Sequence, residues 1–336
     1  PFRWLNIIGI GEDGIAGLGD EAKRRIMEAE VIFGGKRHLQ LAGSLIRGRA
    51  ETWQSPMDKS VEAINALRGR GVVVLASGDP FFYGMGATLA RSIDPAEMVT
   101  LPAPSSFSLA ASRLGWPLQE VATVSLHGRP LDLIRPHLQP GARILALTSD
   151  GKGPLELAVL LTDSGFGKSR LTVLEALGGD GEHMAAYQAS EFPEIAVNPL
   201  NICAVEVLAE PNARVLPLAS GLADDLFEQD GQITKREIRA LTLSALAPRL
   251  GELLWDIGAG SGSIAIEWML AHPAMRAIAI EGHAERAARI GRNARNFGVP
   301  GLVVVEGMAP AALAGLPAPD VVFIGGGGSE PGVMDA

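Results

Sequence analysis

The chain has 336 residues, 47% of them hydrophobic and 20% charged, with a formal net charge of -9, which describes a globular protein long enough for two domains. The acidic balance excludes a basic surface over the whole molecule, so neither nucleic acid nor an anionic membrane is an expected partner. No apolar run approaches the ~18 residues of a membrane span, no signal-peptide core opens the chain, and one cysteine makes no intramolecular disulfide, so a soluble cytoplasmic protein in a reducing compartment is expected.

Apolar strand-like runs alternate with helix-period segments almost throughout, the pattern of an α/β fold. The first strand is predicted at 5–10. A helix follows with Leu18, Ala22, Ile26 and Ala29 on one face, and Asp20 is placed to cap its start. Further strands are predicted at 31–33, 72–76, 144–148, 172–175 and 201–207. Cys203 lies inside the last of these and reads as a buried strand residue, not a nucleophile. The texture changes after Val207, where AEPNARVLPLASGLADDLFEQDGQ shows prolines, small residues and acids without periodicity. Residues 209–232 therefore read as a linker between domains at 1–208 and 233–336.

The second domain opens on ITKREIRALTLSAL, a helix with Ile238, Leu241 and Ala245 on one side. Thr234 and Glu237 have the spacing of a capping box, which alone explains both residues. A strand LLWDI then runs into a glycine loop, followed by a helix with Ile264 and Trp268 on one face. The strand AIAI ends in Glu281, the helix HAERAARIGRNARNFG follows, and LVVVEG and DVVFIGGGG complete the set.

Two glycine loops compete for a nucleotide. IIGIGEDG has the Gly-x-Gly-x-x-Gly spacing of a dinucleotide turn, with Gly9, Gly11 and Gly14. A pyrophosphate needs bare amides there, yet Glu12 and Asp13 occupy the turn, and the next strand, VIFGG, ends without a ribose-binding acid. The dinucleotide reading fails on both counts, leaving a tight turn that needs glycine for its backbone angles. The loop after Asp256, Gly258-x-Gly260-x-Gly262, does have its acid, Glu281, about twenty residues on. Glycines there admit a ligand close to the backbone, and the carboxylate can accept both ribose hydroxyls.

This second loop resembles that of the class I S-adenosylmethionine methyltransferases, written Asp/Glu-x-Gly-x-Gly-x-Gly, with a Rossmann-like fold. The preceding Thr-Lys-x-Glu-x-Arg-Ala-Leu entry is similar to the CbiT family of decarboxylating methyltransferases. The resemblance implies that Thr234, Gly258, Ala259, Gly260, Ser261, Gly262, Glu281, Gly307 and Ala309 bind S-adenosylmethionine. That family has Gly-Asp-Ala where this chain has Gly307, Met308 and Ala309, which leaves a backbone amide at Ala309 as the adenine contact. The chain stops at GGGGSEPGVMDA, after a fourth strand where class I sheets have seven, so an incomplete domain is expected.

The first domain carries VVVLASGDPFFYGMG, FGGKRHL, APSSFSLAASRLGWP and SLHGRP besides IIGIGEDG. Together these resemble the CbiE family of two-lobed tetrapyrrole methylases. The resemblance implies a second S-adenosylmethionine site built from Gly9, Gly11, Gly78, Asp79, Ser105 and Ser106. PAPSS departs from the family's Pro-Gly-x-Ser-Ser but keeps both serines as donors. Asp79 before Pro80 also has a plain reading as a turn initiator. His127 and Arg129 lie among the ligand-side loops, and a guanidinium suits the carboxylates on a tetrapyrrole rim. Arg37 and Lys36 read equally as solvated charge. Lys235, Arg236 and Arg239 are further candidates for substrate contact.

A CbiE-like half before a CbiT-like half resembles the fused CobL family of corrin-ring biosynthesis. It implies S-adenosylmethionine-dependent methylation of an anionic precorrin at carbons 5 and 15, with loss of carbon dioxide from the ring C acetate. The amino-terminal half would serve carbon 5 and the carboxy-terminal half carbon 15. It further implies a homo-oligomer, a dimer or a tetramer. Methyl transfer from a sulfonium is an in-line displacement, so alignment and water exclusion matter most, and no catalytic triad or metal is expected. The alternative is a class I domain that methylates RNA or another small molecule beside a non-catalytic first domain.

Overall fold

The computed structural model describes residues 3–328 and 330–334. The chain divides into two compact units. One runs through His127 and includes Arg143–Val159 and Ser169–Glu206, and the other comprises Gly128–Ala142, Leu160–Lys168 and the chain from Val207 onward.

The first unit holds two sheets. One is built from β1 (Leu5–Ile10), β2 (Val31–Gly34), β3 (Arg49–Thr52), β4 (Val72–Ser77) and β5 (Met98–Leu101). They lie in the order β3-β2-β4-β1-β5 and are parallel throughout, with Leu5 opposite Val72 and Met98. The central strands are almost continuously apolar because both faces are covered. Leu5, Ile7, Val72 and Val74 pack with Ile64, Leu89 and Ile93 on one side. Ile8, Ile10, Val73 and Leu75 pack on the other with the α1 residues Ala22 and Ile26 and with Leu18 and Ala29 beside them. Helix α1 (Asp20–Glu28) thus buries the face its spacing predicted, with the larger side chains, Leu18 and Ile26, each contributing roughly 1.5–3 kcal/mol. Asp20 does not cap it: Gly19 is the N-cap residue and makes no side-chain cap bond. Asp20 instead joins Glu21 in the first turn, where carboxylates favour the helix dipole. Helices α2 (Lys36–Ala42), α3 (Met57–Asn65), α4 (Met85–Leu89) and α5 (Ser106–Leu114) complete the connections.

The other sheet contains β6 (Ala122–Ser125), β7 (Arg143–Leu147), β8 (Arg170–Glu175), β9 (His183–Gln188) and β10 (Asn201–Glu206), with α6 (Gly153–Asp163) after β7. Its order is β6-β7-β10-β8-β9, parallel only between β6 and β7. Antiparallel pairing of β10 with β7 and β8 brings Asn201 beside the ends of both neighbours. Cys203 is fully buried on β10, and burial pushes its thiol up from its ordinary value.

The second unit carries α7 (Arg236–Leu246), β11 (Leu253–Ile257), α8 (Ser263–Leu270), β12 (Arg276–Glu281), α9 (Ala284–Asn296), β13 (Val303–Glu306) and β14 (Val321–Ile324). The four described strands form a parallel sheet in the order β13-β12-β11-β14. Residues 209–232 carry neither strand nor α-helix, yet Leu216, Leu222 and Phe227 are buried in this unit's core with Trp268 and Phe297. Phe227 stacks on Phe297 at 4.3 Å between centroids.

Helix α7 faces the opposite way from its predicted side. Ile238 and Leu241 are 56% and 68% exposed, and Ala245 is exposed as well. The buried positions are Arg239 and Leu243. The reason is polar: the Arg239 Nε donates to Glu267 Oε1 at 2.5 Å, and its Nη1 to Asp224 Oδ1 at 3.0 Å. Its other donors reach the Thr234 and Leu222 carbonyls, and the guanidinium lies over the Phe227 ring. Satisfying this fully buried cation fixes the rotation of the helix. The capping box also does not form, since Lys235 takes the N-cap position without a side-chain cap bond. No helix among the described residues is long and apolar enough to cross a membrane.

Candidate active sites

The four described strands of the second unit's sheet point their carboxyl ends at one cavity of about 540 Å3. The loop after β11 contributes Gly258, Ala259 and Gly260, β12 ends in Glu281, and the loop after β13 gives Gly307, Met308 and Ala309. Gly325–Gly327 follow β14, and Gly231–Thr234 arrive from the segment before α7. That segment is held from two sides. Asp230 accepts from Arg286 Nε at 2.8 Å and pairs with Arg289 at 3.1 Å, and these guanidiniums hold its carboxyl well below the usual range. Arg239 grips the Thr234 carbonyl from the core side.

The glycines of the loop are required by space as well as angle. Gly258 has φ +70°, and a Cβ there would lie 2.5 Å from the Gly326 carbonyl oxygen. Gly262 has φ +77° and abuts the Ile290 side chain, opening α8. Ser261 is buried. These last two residues shape the loop and do not line the cavity.

Glu281 is 5% exposed, and its carboxylate accepts from the Gly260 amide at 2.8 Å and the His283 amide at 2.9 Å. Asp256 is buried, with Oδ2 accepting from the Ala265 amide at 3.2 Å and Oδ1 without a partner among the described residues. Burial chiefly, and the neighbouring Glu281 secondarily, push its carboxyl up to about 7, against the opposing Ala265 bond. An unsatisfied buried carboxylate oxygen on a cavity wall is a place for a cationic donor.

The first unit has its own cavity, about 300 Å3. The first sheet supplies Gly11 and Glu12 after β1, Arg37 after β2, Gly78 and Tyr83 after β4, and Pro104 and Ser106 after β5. The second sheet supplies His127 after β6, Thr148 after β7, and Asn201 at the start of β10. Adjacent carboxyl ends of parallel strands make such a cleft. Gly9 and Gly78 interlock beneath it. A Cβ at Gly9 would lie 1.9 Å from the Gly78 carbonyl oxygen and 2.6 Å from the Ala103 nitrogen. Gly78 has φ +54° and donates to the Ile10 carbonyl, while Ala103 donates to Gly78.

Glu12 does not face the cleft as a free carboxylate, because Arg37 forms an ion pair with it. Arg37 also donates to Ser77 Oγ at 2.9 Å, and His38 Nε2 meets the same hydroxyl at 2.7 Å. Burial and the adjacent guanidinium push the His38 imidazole down to about 4. Asp79 accepts from the Phe81 amide at 2.8 Å, stabilising its own loop. Ser105 is the N-cap of α5, accepting from the Ser108 amide at 3.1 Å. Gly9, Asp79 and Ser105 therefore build the walls, while Gly11, Gly78, Ser106 and His127 line the space. Arg129, Lys235 and Arg236 are exposed, and Arg239 is an interior residue unavailable to substrate. Thr148, Asn201 and Tyr83 were not singled out from sequence. Their only signal was position, at or just beyond strand ends that face the cleft.

A model of the tetrapyrrole (corrin/porphyrin) methylases matches residues 5–193, and one of the precorrin methyltransferase domain matches 225–336. The chain is 71% identical over 333 residues to a precorrin-6Y C(5,15)-methyltransferase (decarboxylating) of Sinorhizobium sp, an alignment covering 99% of this chain and 81% of that protein. Each half also has a separate relative. A cobalt-precorrin-7 C(5)-methyltransferase of Salmonella typhimurium is 29% identical over 181 residues, 54% of this chain and 88% of that protein. A probable cobalt-precorrin-6B C(15)-methyltransferase (decarboxylating) of Pyrobaculum calidifontis is 40% identical over 121 residues, 34% of this chain and 62% of that protein. The fold is thus a tetrapyrrole methylase followed by a methyltransferase domain.

Proposed function

The chain belongs to the family of decarboxylating precorrin-6Y C(5,15)-methyltransferases, and from that premise we propose that each of its two cavities takes one S-adenosylmethionine and serves one carbon. The enzyme is an S-adenosylmethionine-dependent C-methyltransferase of cobalamin biosynthesis, methylating its precorrin at carbons 5 and 15 with decarboxylation of the ring C acetate. The first unit serves carbon 5. The second serves carbon 15 and the carboxylate loss. The relatives that match one half each, each named for one of these reactions, support that division.

The observation that carries the two-site reading is the paired set of glycine cradles. Gly258 against Gly326 and Gly9 against Gly78 each leave backbone where a side chain would otherwise stand, at the carboxyl ends of parallel strands. When bound, S-adenosylmethionine supplies an electrophilic methyl on a sulfonium. In the second cavity Glu281 holds ribose hydroxyls, Asp256 Oδ1 accepts from the ammonium, and the Ala309 backbone meets the adenine. In the first, Ser106 and the strand-end backbone hold the ligand. Alignment and exclusion of water are the protein's main contributions. The exposed apolar side of α7, with Ile238 and Leu241, supports a homo-oligomer, and a cytoplasmic location belongs to the same reading.

Calorimetric titration of the full chain with S-adenosylhomocysteine tests the count. Two sites per chain are expected. One site would leave the first unit as a scaffold and overturn the reading.

A further inference from the structure

Methylation at a meso carbon has a second half. The bridging carbon carries one hydrogen, so the incoming methyl leaves it with both, and conjugation returns only when that hydrogen departs as a proton. A group beside the cleft must take it. Among the described residues lining the first cavity, Glu12, Arg37, Tyr83 and His127 are ionisable. Glu12 and Arg37 are engaged with each other. A phenol, as at Tyr83, is a far weaker base than an imidazole.

His127 is built differently. Its Nδ1 lies 3.2 Å from the Thr148 carbonyl oxygen. A carbonyl has no proton to give, so Nδ1 is the donor of that bond, and the position left to take up a proton is Nε2. Thr148 is itself fixed: it is 4% exposed, and its hydroxyl donates to Asn201 Oδ1 at 2.6 Å. Asn201 is 8% exposed and donates to the Asp150 and Asn198 carbonyls at 3.0 and 2.9 Å. A base oriented by a second group, which is held by a third, is how proton acceptors are preset. His127 is an exposed residue, which gives a proton taken up there a route to water.

We propose that His127 is the proton acceptor of the carbon 5 methylation, a role that rests on the first unit being the carbon 5 site. The carbon–methyl bond forms from the enamine electron pair as the sulfur–methyl bond breaks, leaving a thioether and a cationic, conjugated iminium on the macrocycle. The carbon 5–hydrogen bond then breaks, its electron pair neutralises the iminium, and its proton passes to Nε2. The imidazolium keeps its Nδ1 bond to Thr148 and returns one proton to solvent.

The test uses the full chain in single turnover, with precorrin carrying hydrogen or deuterium at carbon 5. His127→Ala and His127→Asn should each slow appearance of the neutral, conjugated carbon 5-methylated product, followed by its absorbance, by ~100-fold or more. S-adenosylhomocysteine binding and carbon 15 methylation should be unchanged. Deuterium should slow the variants more than the parent, and imidazole in the buffer should restore rate to His127→Ala. An unchanged rate, or a slow rate with neither deuterium sensitivity nor rescue, overturns the role of His127. If carbon 5 methylation is lost in Glu281→Gln and kept in Gly9→Ala, the site assignment fails instead.

Discussion

The Glu281 carboxylate and the Gly260 amide meet at 2.8 Å, so the acid at the end of β12 clamps the glycine loop that follows β11. One carboxylate therefore shapes the loop and offers its remaining lone pairs to a ribose. Charged hydrogen bonds of this kind contribute about 1.5–3 kcal/mol each. Glu281→Gln should weaken S-adenosylhomocysteine binding in the second cavity roughly 10- to 100-fold and leave the first site's affinity intact. Two-site titration separates these outcomes.

Asp256 supplies a pH signature. Its carboxyl sits at about 7 in the fold against 3.8 as a free group. The ligand's ammonium prefers the carboxylate, so affinity at the second cavity should rise about tenfold between pH 6 and pH 8. For folding the sign is opposite. A raised value stabilises the apo protein fully below 3.8, and that contribution is lost as pH climbs through about 7. Asp256→Asn should flatten both dependences, read by calorimetry and by thermal melts across that range.

Gly9→Ala would drive a methyl into the Gly78 carbonyl and the Ala103 nitrogen, both backbone atoms. Backbone cannot swing aside as a side chain can, so a cost of about 1–3 kcal/mol or more is expected. Carbon 5 methylation should fall away, while carbon 15 methylation and decarboxylation continue. Product analysis by mass and by position of the label checks this.

Arg239→Ala should destabilise the second unit by about 3–5 kcal/mol, because Glu267 is left charged and buried. Arg239→Met combined with Glu267→Gln should recover part of that loss, since no charge is left buried and the single glutamine oxygen can still accept from one of the two amides, Gly221 or Leu222, that Glu267 serves. Urea denaturation of the three proteins gives the comparison.

The interior strands were legible because both faces of a parallel sheet demand continuous apolar runs, as in VVVLAS and LLWDI. β3, reading RAET, and β9, reading HMAAYQ, were not, because edge strands lie largely in water and need no such run. The second cavity was largely readable, since its loop and acid recur at fixed spacing. The side of α7 was misread because apolar periodicity gave Ile238 and Leu241, whereas the burial is governed by one arginine. No local pattern announces that Glu267, twenty-eight residues on, will receive it. The His127–Thr148–Asn201 chain was invisible for the same reason, since it exists only once β6, β7 and β10 lie side by side.

Gly325 and Gly326 donate to the Ile257 carbonyl at 2.8 and 3.4 Å, and Gly326 fills the space a side chain at Gly258 would need. The fingerprint loop and the glycine run after β14 are thus tied to each other through the end of β11. Ligand occupancy should be recorded in the hydrogen exchange of the Gly325 and Gly326 amides as strongly as in that of Gly260. A residue remote in sequence becomes a reporter of the pocket it never advertised.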